Sequence, residues 1–224
     1  MTAQEYHDQG LKLASEKKYA EAQPILQLAV KSFPAEELLW QNLAYSTNEL
    51  GNHQEAATFC KEGLRHHPRS WWLWETLGYS LLHNDHLDDA EKALQHATDL
   101  QADSPHLWRN WAKLHRKRKN FTREAEALEV VDALGSPTGD DLNLLGIAYF
   151  NDRPRQCFKA LAAYTRAASI LKQAHIYRNI GLVYSQPEVS QDLDAADAYR
   201  GHSPSRRITI WRRMTSQRRK RNFW

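Results

Sequence analysis

Several side chains of this 224-residue chain are of types, and at spacings, that could do chemistry. His83, Asp85, His86, Asp88 and Asp89 fall within one short stretch, and imidazoles and carboxylates so placed can ligate metals. The same residues have a plainer use. Asn84 and Asp85 suit a turn between helices. Asp88 and Asp89 suit a helix start, where aligned peptide dipoles favour negative charge, while His66 and His67 fall near a helix C-terminus, where they favour positive charge. No Gly-rich phosphate loop occurs, and no Ser or Cys has a base in a recognisable motif. The sequence predicts no enzyme, no catalytic residue, no metal and no cofactor.

A recognition surface is the stronger pattern. At helical spacing, Trp72, Glu75, Tyr79 and His83 share one face, and His106, Arg109, Lys113, Arg116 and Lys117 share the equivalent face 34 residues on. Gln41, Tyr45 and Asn48 precede them, and Arg178 follows. A row of Arg and Lys favours carboxylates or phosphates, and Arg109 has the fork to grip a carboxylate at two points. Trp72 and Tyr79 offer flat apolar area at low entropy cost. Trp71 and Trp74 point elsewhere, which leaves Trp72 to the open face. Trp40, Trp74, Trp108 and Trp111 are read as core. Asn42, Asn110 and Asn179 each stand two residues before a small residue, where amides could clamp the backbone of an extended peptide. Asp8, Thr76 and Leu144 fill the other places.

What must position these residues is a sixfold repeat. Large residues recur at Tyr6, Trp40, Trp74, Trp108, Leu142 and Tyr177, with gaps of 34, 34, 34, 34 and 35. Four residues after each stands a small one: Gly10, Ala44, Gly78, Ala112, Gly146 and Gly181. A third series is Ala22, Ala56, Ala90, Ala125, Ala160 and Ala195. A period of this length marks a solenoid of helix pairs. In the second unit Trp40, Leu43, Ala44 and Thr47 share a face, Gly51 ends the first helix in a left-handed turn, Ala56, Cys60 and Gly63 form the inward stripe, and Pro68 stops the second helix. The small residues are expected where the helices cross, because anything larger would push the backbones apart.

These residues resemble the tetratricopeptide repeat: a large residue, then Leu-Gly, Tyr, Ala, an aromatic, Ala and Pro. The third unit has Trp74, Leu77-Gly78, Leu81, Ala90, Leu94 and Ala97; the fifth has Leu142, Leu145-Gly146, Tyr149, Ala160, Tyr164 and Ala167. Pro34, Pro68 and Pro137 match the closing proline, which Ala102 and Lys172 replace elsewhere. The resemblance spans residues 3–200. It implies an all-α fold, a right-handed α-solenoid of antiparallel helix pairs, with units near 3–36, 37–70, 71–104, 105–138, 139–173 and 174–202. Two departures stand out. Glu129 and Asp132 occupy places where a packed aromatic and Ala are expected. The sixth unit breaks at Gly201-His202-Ser203-Pro204 without the polar capping helix a terminal unit needs, an end that could self-associate.

The resemblance also implies a function. First helices line the concave side of such a stack, so the expectation is a non-enzymatic adaptor or scaffold that binds a protein or peptide, acidic in character, in that groove. The contacts expected are Asn42, Tyr45, Trp72, Tyr79, Arg109, Asn110, Lys113, Arg116, Arg178 and Asn179. The asparagine series is similar to the ladder in the repeat domain of O-linked N-acetylglucosamine transferases, without their catalytic domain. The family's clamp for chaperone C-termini is not expected, since Leu11, Trp72, Thr76 and Leu144 replace its basic and amide residues.

Composition sets the remaining bounds. A hydrophobic content of 42% suffices for a continuous helical core. Cys60 and Cys157 lie about three repeats apart and fit buried thiols in a reducing, cytoplasmic setting. No basic and apolar leader opens the chain, and no stretch approaches a membrane span. Residues 206–224 hold eight basic residues and no acid, whereas the whole chain is only +3; the repeat body is therefore mildly acidic. Residues 203–224 read as a basic, disordered tail, native, truncated or frame-altered. Two alternatives follow: binding of RNA or another polyanion through the basic residues and aromatics, and a regulatory repeat fragment of a larger enzyme.

Overall fold

A computed structural model describes residues 2–190. Its elements are α1 (Ala3–Ser15), α2 (Tyr19–Ser32), α3 (Glu37–Glu49), α4 (His53–His66), α5 (Trp71–His83), α6 (Leu87–Leu100), α7 (Pro105–Lys117), α8 (Phe121–Ala133), α9 (Gly139–Asn151), α10 (Cys157–Ile170) and α11 (Ala174–Tyr184). There is no strand among the described residues. Packing divides the chain into two compact units, Met1–Leu134 and Gly135–Trp224. The first holds the pairs α1–α2, α3–α4, α5–α6 and α7–α8, each helix against the next, with α1, α3, α5 and α7 also side by side. The second holds the pair α9–α10 and α11. Ala195, the break at Gly201 and the basic tail lie outside the described residues.

Capping explains where the helices begin. Thr2, Ser70, Ser104 and Thr138 each accept a backbone N–H in the first turn of α1, α5, α7 and α9, satisfying a donor that has no partner within the helix. These four fall on the 34-residue period, with Glu36 and Gln173 in the remaining places as caps without a side-chain bond. Ser70 and Ser104 also reach the preceding pair: Ser70 Oγ donates to Glu37 at 2.5 Å and Ser104 Oγ to Glu75 at 3.1 Å.

The turns inside the pairs are equally periodic. Lys17, Gly51, Asp85 and Lys119 all adopt positive φ (60°, 80°, 58° and 57°). Only Gly51 has the residue type that adopts this conformation without a steric penalty.

The core bears out the face assignments for α3 and α4: Leu43, Ala44, Thr47, Ala56 and Cys60 are fully buried. At the crossings the closest neighbour is a side chain of the facing helix rather than its backbone. A Cβ on Gly10 would come within 2.8 Å of Leu26 Cδ2, one on Gly78 within 2.6 Å of Leu94 Cδ2, and one on Gly146 within 2.6 Å of Tyr164 Cδ1. The small residue makes room for a large partner. In α8 the buried residues are Leu128 and Val131 rather than Glu129 and Asp132: counted from the helix start they stand where Leu94 and Ala97 stand in α6, and buried Glu124, not Ala125, stands where Ala90 does.

The tryptophans also differ from expectation. Trp40 and Trp111 are buried, but Trp74 and Trp108 are only half-buried. Their indole N–H groups explain the placement. Trp40, Trp74 and Trp108 donate to the carbonyls of Pro34, Pro68 and Ala102, each six residues back in the loop between pairs, at 2.9, 2.9 and 2.6 Å. Tyr177, last in the large series, is 45% exposed.

Two outcomes follow. Gly78→Ala should destabilise the protein by about 1 kcal/mol in urea unfolding, overpacking against Leu94 outweighing better helix propensity. In a Leu94→Ala background the same change should become stabilising. Lys119→Gly should stabilise by about 0.5–1 kcal/mol, because it relieves a left-handed residue at an exposed helix end.

Candidate functional site

One face of α3, α5 and α7 collects half of the expected contacts: Tyr45, Trp72, Tyr79, Arg109 and Lys113. Its rows follow the 34-residue period: Tyr45, Tyr79 and Lys113 form one, and Leu38, Trp72 and His106 another. Tyr45 is 42% exposed. Its ring lies edge-on to Tyr19 at 5.8 Å and 6.3 Å from Trp72. Burial first, and then a hydrogen bond with Tyr19, push the Tyr45 hydroxyl up to about 12, so it remains a neutral donor. Leu38 is 46% exposed. It was missed as a contact, although counting back 34 residues from Trp72 finds it. The apolar part of the face is thus Leu38, Tyr45 and half-buried Trp72.

Beside it lies a basic cluster. Tyr79 stands 4.4 Å from His83 and 6.0 Å from His53, ring centre to ring centre, and the two imidazoles are 4.1 Å apart. Lys113 Nζ lies over the Tyr79 ring at 5.1 Å and 2.6 Å from His83 Nε2. An ammonium can only donate, so His83 Nε2 accepts and the ring is neutral. Burial, then the charge of Lys113, hold His83 at about 4. Burial also lowers Lys113 and His53. His53 Nδ1 meets Asn48 Oδ1 at 2.9 Å, and Asn48 Nδ2 donates to Ser80 Oγ at 2.9 Å. Asn48, expected on the open face, is buried and ties α3 to α5.

Other expected contacts are placed differently. Arg116 does not extend along the face: its guanidinium is bound by Glu124 of α8, through Nε at 2.7 Å and through Nη2, and Glu124 is fully buried. The rest of that basic run is paired as well. Lys117 meets Asp85, and Arg118 bonds Asp88 at 2.6 Å and Glu91 at 2.8 Å. Asp85, Asp88 and Glu91 thus have ion-pair partners 27–32 residues further on, while Asp89 pairs with Lys92 of its own helix. Asn110 is buried, and Asn42 donates to Leu38 O of its own helix at 2.8 Å. Arg109 is half-buried on the face. In the second unit Arg178 is exposed, and Asn179 donates to Asn143 at 3.2 Å. The asparagine series is engaged within the fold at Asn42 and Asn179 and buried at Asn110.

Among the described residues no group of three or more His, Cys, Asp or Glu is arranged to hold a metal ion. No described helix is long and apolar enough to cross a membrane. Cys60 and Cys157 are free and buried, and burial pushes both thiols up.

Comparison with known proteins agrees with the architecture. Residues 48–114 match the tetratricopeptide repeat family model. Tetratricopeptide repeat protein 33 of Mus musculus is 25% identical over 144 residues, 63% of this chain and 53% of that protein; this chain spans about half the length of the relative it matches. Among solved structures, the MamA protein has a TM-score of 0.65 at 18% identity, over 78% of this chain and 94% of its own. A chain of the Cut9–Hcn1 hetero-tetramer of APC/C has a TM-score of 0.66 at 17% identity, over 92% of this chain and 41% of its own. These structural likenesses concern the fold alone.

Glu75 supplies a test of the face's electrostatics. Burial raises its carboxyl to about 7, against the hydrogen bond from Ser104. A raised carboxyl stabilises the fold below its unfolded value and loses that effect as pH rises through the folded one. Glu75→Gln should therefore gain on the parent by about 1–2 kcal/mol between about pH 5 and pH 8, measured as the difference in unfolding free energies.

Proposed function

Because the chain is a tetratricopeptide-repeat protein, we propose that it is a non-enzymatic adaptor that holds a segment of a partner protein on the groove face of α3, α5 and α7. Proteins of this fold generally mediate protein–protein interaction. The observation that carries the finer reading is the half-open apolar row of Leu38, Tyr45 and Trp72 beside Tyr79 and Lys113. Partly exposed rings of restricted motion beside a cation are the surface type that dominates binding energy in protein interfaces. Tyr45 and Trp72 anchor apolar side chains, and Lys113, with Arg109 on the same helix, draws acidic ones. Arg178 and Asn179 belong to the second unit, and this reading rests on the residues of the first. The buried thiols suit a reducing compartment, in keeping with work in the cytoplasm.

RNA binding has less support. The Arg116–Arg118 run carries ion pairs with Glu124, Asp85, Asp88 and Glu91, which leaves less charge for phosphates.

A peptide library selected on the full chain should yield ligands whose affinity drops about tenfold or more when Tyr45 and Trp72 are both changed to Ala. Lys61→Ala, at an exposed site on α4, should leave them bound. Ligands indifferent to the double change would place recognition elsewhere.

A further inference from the structure

The basic cluster on the groove face has a feature that simple packing does not require. Lys113, His53 and His83 converge, no acid among the described residues bonds Lys113, and Lys113 donates to a neutral imidazole 2.6 Å away. The charged and titratable groups around His83 come from every neighbouring element. Lys113, Arg116 and Lys117 lie on α7, His53 starts α4, Glu49 ends α3, and Asp85 and His86 lie in the turn to α6. Asp85 is held by Lys117. Glu49 acts on Tyr79 and Tyr45 and bonds neither His83 nor Lys113. Asp88 and Glu91 on α6 are held by Arg118. The cluster therefore has a cationic donor whose present acceptor is a group that can itself become a donor. Lys113, His83, His53 and Tyr79 are all partly open to solvent.

We propose that Lys113 and His83 form a proton-coupled seat for a carboxylate of an acidic peptide segment. The guest oxygen takes the Lys113 N–H that His83 now accepts. The freed Nε2 of His83 binds a proton from solvent and becomes a second donor to the same carboxylate. Ligand and proton enter together, so affinity rises as pH falls. The sign follows from the free state: the imidazole is held at about 4, and removing the Lys113 contact while adding an anion moves it upward, towards the range where imidazoles titrate near neutrality. This inference rests on the groove reading and adds to it the chemical class of the guest and its pH dependence.

The test uses the full chain with ¹³C-labelled histidine. The probe is the acetylated, amidated peptide Leu-Glu-Glu-Asp-Phe, with Leu-Gln-Gln-Asn-Phe and inorganic phosphate as the other arms. With the acidic peptide, the His83 ring resonance should titrate at higher pH than in the free protein. The affinity should tighten about threefold or more from about pH 7.5 to about pH 6, bounded by tenfold per pH unit for one proton. His83→Gln should still bind but lose the pH dependence, His53→Gln should keep it, and Lys113→Gln should lose binding at both pH values with its helical circular dichroism intact. Binding that ignores pH, or an unmoved His83 titration, overturns the proposal while leaving the groove in place. Failure of the acidic peptide to bind also overturns it, and the Tyr45 and Trp72 experiment then decides the groove separately. Phosphate that displaces the peptide and shifts His83 equally would make the seat one for phosphate and overturn the carboxylate assignment.

Discussion

The close fit of a small residue on each first helix to a large one on its partner is the constraint on which the structure depends. Gly10 receives Leu26, Gly78 receives Leu94 and Gly146 receives Tyr164. Because these pairs recur on a fixed period, the first helices α1, α3, α5 and α7 come to lie side by side, and residues 34 apart form rows. The candidate groove is a consequence of that arrangement. Tyr45, Tyr79 and Lys113 are one place in the repeat, occupied three times by different chemistry. Selection can change the side chain in one row position without disturbing the crossing that presents it.

The fold was legible because packing restricts residue type. Trp40, Leu43, Ala44, Ala56 and Cys60 are the few sizes their sites accept, so their spacing shows in the sequence. The turns were less legible. Lys17, Asp85 and Lys119 share the left-handed conformation of Gly51; Asp85 is of a type that tolerates it, but at Lys17 and Lys119 position in the repeat imposes it and no residue preference reveals it. The capping series Thr2, Ser70, Ser104 and Thr138 is interrupted at Glu36 and Gln173, which obscures a period that the backbone keeps. In α8, placing Ala125 in the alanine series misassigned the core by one residue, because that place in the repeat falls on Glu124, which a polar residue type does not reveal, and Leu128 and Val131 follow it inward.

The site was legible in part. Helical spacing put Trp72 and Tyr79 on one face with Lys113, and ring contacts join Tyr45 to Trp72 and Tyr79 to His83. Arg116 and Asn110 were misjudged because face assignment cannot foresee a competing partner. Arg116 has a buried carboxylate within reach on α8, and a charge-assisted bond there outweighs solvation on the open face. Asn48 was misjudged for the same reason, with Ser80 as its partner. The link between His83 and Lys113 joins positions 30 residues apart and becomes visible only when α5 and α7 are packed together.

The serine caps bear on how the molecule comes apart. Ser70 and Ser104 each use one hydroxyl in two directions: the oxygen holds the first turn of its own helix, and the proton reaches a carboxylate of the pair before. Fraying of α5 or α7 at its start therefore also removes a hydrogen-bond donor from its neighbour. In a chain of modules coupled only to their nearest neighbours, such shared groups raise the boundary energy between ordered and melted segments. The pairs α3–α4, α5–α6 and α7–α8, which these two serines link, are thereby biased towards melting as one block rather than peeling away singly.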